Sequence, residues 1–257
     1  MPVVLNEIKQ AETILEKGEV GNKPTSTLFL LSKYYRQKLK LSEKKTSEKL
    51  NEFMNSNYKN YNPVLWEDII EDISRKGKKY ELRNVEHIGI TQSELDIIES
   101  AKTKNHKKLL FTMLCFAKLY NITSPNNNNW INADIKEIFK TARVIVKHRE
   151  DKFLLLNDLE SNGYISFSSK NDNLNMKINF IDNTNNPILY ITDFRELGYE
   201  YLNYIKNGTF TRCKVCDRLI RKASKNIQYC AECKEDKKLE KYIKYNQKRN
   251  TTTFLNS

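Results

Sequence analysis

Four of the five cysteines stand in one short stretch: Cys213-x2-Cys216, thirteen intervening residues, then Cys230-x2-Cys233. Four thiolates about 2.3 Å from one ion make the tetrahedral site that structural zinc prefers. Two paired knuckles at this separation point to one structural Zn²⁺ held by Cys213, Cys216, Cys230 and Cys233. The competing reading is two disulfides or idle thiols. An ion with four cysteine ligands has no open position for water or substrate, which argues against an enzyme. Nothing elsewhere looks catalytic: the chain has no Gly-rich phosphate loop and no nucleophile elbow, and His87 and His106 stand alone.

Positive charge gathers around the cysteines. Residues 212–249 hold thirteen Lys or Arg against five Asp or Glu, a balance of +8 within a whole-chain +12. Four thiolates on Zn²⁺ would leave about +6. A small metal-stapled module with this charge suits a polyanion. The candidate contacts here are Arg218, Arg221, Lys222, Lys225, Lys237, Lys241, Lys244 and Lys248. Tyr229, Tyr242 and Tyr245 are interleaved with them and could stack on bases, although packing of Tyr242 and Ile243 against the knuckle is the favoured reading.

The elements needed to position the cysteines follow from the local pattern. Apolar Leu219 and Ile220, a polar turn at Ser224-Lys225-Asn226, then Ile227 and Tyr229 read as a short hairpin after the first pair. The second pair opens a helix-like run over residues 231–248. Knuckle, hairpin and helix over residues 210–249 resemble the treble-clef group of zinc modules. Such knuckles often carry Gly after the second Cys; here it is Asp217. Treble clefs also occur in His-Asn-His nucleases, but no His lies beyond His148, so that chemistry is missing.

The chain has 257 residues, 39% hydrophobic and 30% charged, with only seven Gly and five Pro. That composition supports a core and predicts a mainly α protein with a small β component. No apolar run approaches the roughly 20 residues needed to span a bilayer, and the N-terminal residues lack a basic-then-apolar pattern. The expectation is a cytoplasmic protein without a membrane partner, where paired cysteines bind metal more often than they form disulfides.

Residues 1–103 read as a helical domain. Helical spacing marks residues 4–17, a helix from Thr25 with Leu28, Leu31, Tyr34, Tyr35 and Leu39 inward, one from Ser42 to about Asn55, and one entered at Pro63. Thr91-Gln92-Ser93-Glu94 is a capping box for a helix to about Ala101. Residues 104–206 follow with an apolar helix over 107–121, a polar loop at 126–129 expected to be mobile, a short helix capped by Asn132, and a third helix over 149–161. Gly163 supplies a left-handed stop, and two β-like runs, 164–167 and 174–180, flank a polar turn, the second alternating at period two.

Three helices followed by a two-stranded wing resemble a winged helix-turn-helix, and Leu156, Leu159, Gly163, Tyr164 and Ile165 carry that resemblance. It implies that the start of the third helix faces the major groove. The residues there are Arg143, Lys147, His148, Arg149 and Lys152; Arg can read guanine and Lys can hold phosphate. A strand at 188–191 and a helix at 193–205 then lead into the four-cysteine module at 207–250, with a flexible tail at 251–257.

Helical body, winged-helix-like middle and basic four-cysteine tail together resemble phage-encoded proteins of AT-rich bacteria. The resemblance is one of layout and implies no particular site residue. The leading expectation is a zinc-containing protein that binds duplex DNA, a regulator or replication accessory factor of a phage or mobile element. A two-fold homodimer would suit paired half-sites. The alternatives are an interaction or inhibitor protein acting on a host protein partner, and a binder of RNA or single-stranded DNA.

Overall fold

The computed structural model describes residues 4–169 and 175–255, with the side chains of residues 240, 243, 244 and 247–255 outside the description. Among the described residues the chain is mainly helical, with three small antiparallel sheets. It divides into two compact units between His87 and Ile88. The boundary expected at residue 103 falls instead inside the second unit.

The first unit holds α1 (Glu7–Lys17), α2 (Pro24–Lys33), α3 (Glu43–Asn57) and α4 (Pro63–Lys76). Asn6, Ser42 and Asn62 each cap a first turn through the side chain. The expected helix from Thr25 does not run evenly: residues Tyr34–Lys38 form a π turn. The wider turn moves the following residues off the inward face, and Leu39 ends 47% exposed where burial was expected. Buried Glu7 accepts from Lys33 Nζ, from the Arg83 backbone N–H at 2.9 Å and from Arg83 Nη2 at 2.9 Å. Burial raises the Glu7 pKa, but Lys33 and Arg83 together outweigh it and hold the carboxyl below its ordinary value.

The second unit opens with β1 (Ile88–Ile90), α5 (Gln92–Ser100) and α6 (Lys104–Thr123). The capping box at Thr91 and Glu94 forms as expected. Residues 109–117 of α6 have no exposed surface at all, Cys115 among them. Next come β2 (Trp130–Ile131), α7 (Ile135–Thr141), α8 (Arg149–Ser161), β3 (Ile165–Phe167) and β4 (Met176–Ile178). The short helix is capped by Asp134, not Asn132. The polar loop before β2 is a hydrogen-bonded turn: Asn128 and Asn129 take left-handed φ of 52° and 68°, and Asn121 bonds Asn127 and Asn129. Asn tolerates that conformation, which gives the Asn run its purpose.

The helix α8 has the expected bounds, with Leu156 and Leu159 buried and Gly163 at φ +76°. The Tyr164 N–H closes on the Leu159 carbonyl at 3.1 Å. Strands β2, β4 and β3 form one antiparallel sheet in that order, Ile165 opposite Ile178 and Ile131 opposite Met176. Leu174 and most of the turn between β3 and β4 lie outside the described residues.

The chain continues through β5 (Leu189–Ile191), α9 (Leu197–Tyr204), β6 (Phe210–Arg212), β7 (Leu219–Arg221) and α10 (Ala231–Leu255). Strand β5 pairs with β1, Ile191 opposite Ile88. The helix expected from Asp193 starts at Leu197, because Asp193 turns back on Arg195 at 2.9 Å. A Cβ on Gly198 would sit 1.9 Å from the Ala142 carbonyl oxygen, so α9 meets the end of α7 where only glycine fits. Residues 251–255, expected as a flexible tail, continue α10.

Glu94 joins several of these pieces. It is fully buried and accepts from Thr91 N at 2.9 Å, Lys118 Nζ at 2.7 Å and Asp182 N at 2.9 Å. Lys118 Nζ also reaches the Gly89 carbonyl at 2.7 Å. One carboxylate thus ties α5, α6, the end of β1 and the loop before β5. Glu94→Ala leaves Lys118 unpaired and is expected to destabilise this unit by about 3–5 kcal/mol, read as a lower urea midpoint. In the first unit the depressed carboxyl stabilises above the unfolded value near 4.5 and loses that stabilisation as pH falls through the folded one. Glu7→Gln should therefore be less stable at pH 7 and should lose less stability on acidification below about pH 4.5, as followed by denaturant unfolding at each pH.

Candidate metal centre and its basic surroundings

The first cysteine pair sits between two paired strands. β6 and β7 align Phe210 with Arg221, Thr211 with Ile220 and Arg212 with Leu219. The hairpin therefore spans the knuckle, whereas the sequence pattern placed it after the first cysteine pair, from Leu219 to Tyr229. The reason is register: Cys213 N–H donates to the Arg218 carbonyl at 2.9 Å and Asp217 N–H to the Cys213 carbonyl at 2.9 Å, closing a tight turn on the ladder. Asp217 takes φ +58°. That left-handed conformation suits Gly best and Asp tolerably, which accounts for the unusual residue after the second cysteine.

The second pair enters from the start of α10. Cys230 N–H donates to Cys213 Sγ at 3.3 Å, and Cys233 N–H to Cys230 Sγ at 3.5 Å. All four Sγ atoms lie within 4.8 Å of one another. Cys216 Sγ and Cys230 Sγ are 3.7 Å apart. A tetrahedron with 2.3 Å arms has edges of about 3.8 Å, which the Cys216–Cys230 pair matches, and the four sulfurs are close enough together to hold one metal ion. Cys213, Cys230 and Cys233 are buried and Cys216 is half-buried.

Protonation follows the same geometry. Burial pushes the Cys213 thiol up, but the backbone N–H groups of Cys216, Cys230 and Val215 outweigh it and bring it down to about 6. Burial first, then the neighbouring sulfurs, push Cys233 far above the ordinary thiol range, and burial also raises Cys230. Four crowded sulfurs resist becoming four thiolates unless a cation joins them. The donor set fits a metal ion.

Helix α9 and the segment just before it fix the module from outside. Arg195 holds Asp193 through its Nε and Nη2 and donates from Nη2 to the Cys216 carbonyl at 2.8 Å. Arg212 reaches Glu200 at 3.2 Å, and the Tyr199 and Phe210 rings lie 5.4 Å apart.

The candidate nucleic-acid contacts divide into engaged and exposed. Arg143 is held by both carboxylate oxygens of buried Glu196 and lies over Tyr199. Arg218 is gripped by Glu232 at 3.0 and 2.8 Å and is largely buried. Lys152 lies over Phe139 and Lys237 over Tyr229. Lys147, His148, Arg149, Arg221, Lys222, Lys225 and Lys241 are exposed; the side chains of Lys244 and Lys248 lie outside the described residues. Tyr242 and Tyr245 are 65% and 63% exposed, so the packing of Tyr242 on the knuckle does not occur. Sequence reasoning missed Arg195 and Glu196, because the partners that matter to the site, Cys216 and Arg143, are 21 and 53 residues away. No local signal marks them.

Among the described residues no helix is long and apolar enough to cross a membrane. No protein-family model, no curated protein and no solved structure matches the chain.

Thiol titration tests the site. With metal bound, none of the five thiols should react quickly with Ellman's reagent. Chelation should release four, and Cys115, whose thiol burial pushes far up, should appear only on unfolding. Two or more fast thiols in the metal-loaded chain would contradict a four-cysteine centre.

Proposed function

We propose that this is a zinc-containing DNA-binding protein, a regulator or replication accessory factor of a phage or mobile element. The observation that carries the reading is the +8 balance of residues 212–249 on a module stapled by four cysteines. The metal is a structural zinc: four clustered sulfur donors favour it and, all bound to one ion, leave no position for a reacting water. The protein is accordingly not an enzyme. The assignment to a phage or mobile element rests on layout alone.

Two finer features of the fold support the reading. The succession α6, β2, α7, α8, β3, β4, with sheet order β2–β4–β3, is the one a winged helix would have. A knuckle inside a hairpin followed by a helix that carries the last ligands is the one a treble clef would have. In this scheme Lys147, His148 and Arg149 at the start of α8 meet the duplex, and the exposed lysines of the zinc module hold phosphates.

One observation favours a second reading, a surface for a host protein. Ile145 is 92% exposed and Leu154 65% exposed, and α8 carries two basic residues against four acidic ones. Exposed apolar groups beside acidic ones suit a protein partner better than a phosphate backbone.

Binding of duplex DNA, single-stranded DNA and RNA across a salt series separates these readings. The intact zinc protein should prefer duplex, with log affinity falling linearly as log salt rises. Truncation at Asn207 should weaken binding at least tenfold. Arg149→Ala should lower affinity for the specific site without changing zinc content. Single-strand preference, or no binding at low salt, would overturn the duplex reading.

A further inference from the structure

Five basic residues, some paired with carboxylates and some exposed, converge on one cleft. A cavity of about 460 Å³ opens where α7, the segment before α9, β7 and the start of α10 meet. Five cations line it: Lys140 from α7, Arg143 just after it, Arg195 before α9, and Arg218 and Arg221 around β7. Two carboxylates line it as well, Glu196 and Glu232.

The pairing within the cleft is uneven. Glu196 holds Arg143, Glu232 holds Arg218, and Asp193 holds Arg195. Among the described residues, Lys140 and Arg221 have no carboxylate within ion-pair distance, and both are exposed. Arg218 Nε is buried without an acceptor. Behind the wall, buried Lys108 donates to the Arg143 carbonyl. Burial, then the charges of Lys104 and Arg221, bring Lys108 down to about 8. Positive charge is crowded here, and an anion entering the cleft would relieve it.

The wall is also preorganised. Three guanidinium groups are held in orientation by carboxylates, and Arg195 by a carbonyl too, so a ligand need not order them. Guanidinium forks match phosphate oxygens, and a lysine adds a mobile point charge. The volume takes a phosphate with the sugar attached to it.

We propose that this cleft binds a phosphate group, with Lys140 and Arg221 as its unpaired contacts and Arg143, Arg195 and Arg218 as its fixed wall. The source of the phosphate, a DNA backbone rather than a free phosphate compound, rests on the proposed function; the phosphate site itself does not. The site also supplies a contact that α8, acidic beyond its first turn, lacks.

The test uses the full zinc-loaded chain and the variant K140A/R221A, with K44A/K45A, exposed in the first unit, as a charge-matched control. Zinc content and far-UV circular dichroism establish that the variants fold. Calorimetry with pyrophosphate as the probe should show binding to the parent and the control, and at least tenfold weaker binding to K140A/R221A. The log–log salt slope for duplex DNA should flatten by about two in the same variant. Equal pyrophosphate binding in all three proteins, or none in the parent, would overturn the cleft. Loss of pyrophosphate binding with an unchanged DNA slope would keep the phosphate site and overturn DNA as its source. A parent that binds pyrophosphate but no nucleic acid would keep the site and sink the DNA reading alone.

Discussion

A helix that is apolar all round must be enclosed, and α6 sets this condition for the unit from Ile88 onward. Its residues 109–117 touch no solvent. The helices α5, α7 and α9, and strands β1, β2 and β4, all pack on it. Phe111 meets Tyr201 with ring centroids 5.4 Å apart, and Phe116 meets Phe194 at 5.6 Å. The polar ends of the helix are used with equal economy. Lys118 closes on Glu94, while Lys108 closes on the Arg143 carbonyl at the turn between α7 and α8. The same buried helix thus fixes the position of α9, and the knuckle is in turn fixed by Arg195 just before α9 and Glu200 within it.

That chain of contacts means the cysteine module is held from two sides. Inside, the sulfurs are drawn together by backbone N–H groups and need a cation to bear four thiolates. Outside, an arginine anchored by Asp193 grips the carbonyl of the second cysteine. Charge placement follows the same division. Arginines near the centre are spent on carboxylates and carbonyls, whereas lysines away from it stay open to a partner. Pairing with Asp193, Glu196 or Glu232, more than residue type, separates the fixed cations from the open ones.

Much of this was legible in the sequence where the deciding physics is local. The capping box at Thr91, the bounds of α8, the glycine stop at Gly163 and each Cys-x2-Cys pair depend on residues within a few positions of one another. What was not legible depends on distant partners. Strands of two or three residues, such as β1, β2 and β6, are too short to carry a period-two pattern, and pairing alone defines them. The hairpin was misplaced because Leu219 and Ile220 pair backward, with Arg212 and Thr211, instead of forward. The π turn at Tyr34–Lys38 is invisible to a helical wheel. The cleft cations were separated by up to 81 residues, between Lys140 and Arg221, so no motif could gather them.

The pairing of β1 with β5 has a consequence for synthesis. Ile88 leaves the ribosome long before its partner Ile191 exists. At about 5–20 residues per second the first strand waits on the order of 5–20 seconds. During that interval α6 is already made, and most of its apolar surface has nothing to cover it. Lys118 meanwhile can reach Glu94, but Asp182, which completes the site, is still to come. The nascent chain therefore passes through a stage with an exposed apolar helix, and this is the period in which a chaperone, or a second nascent copy, would find it.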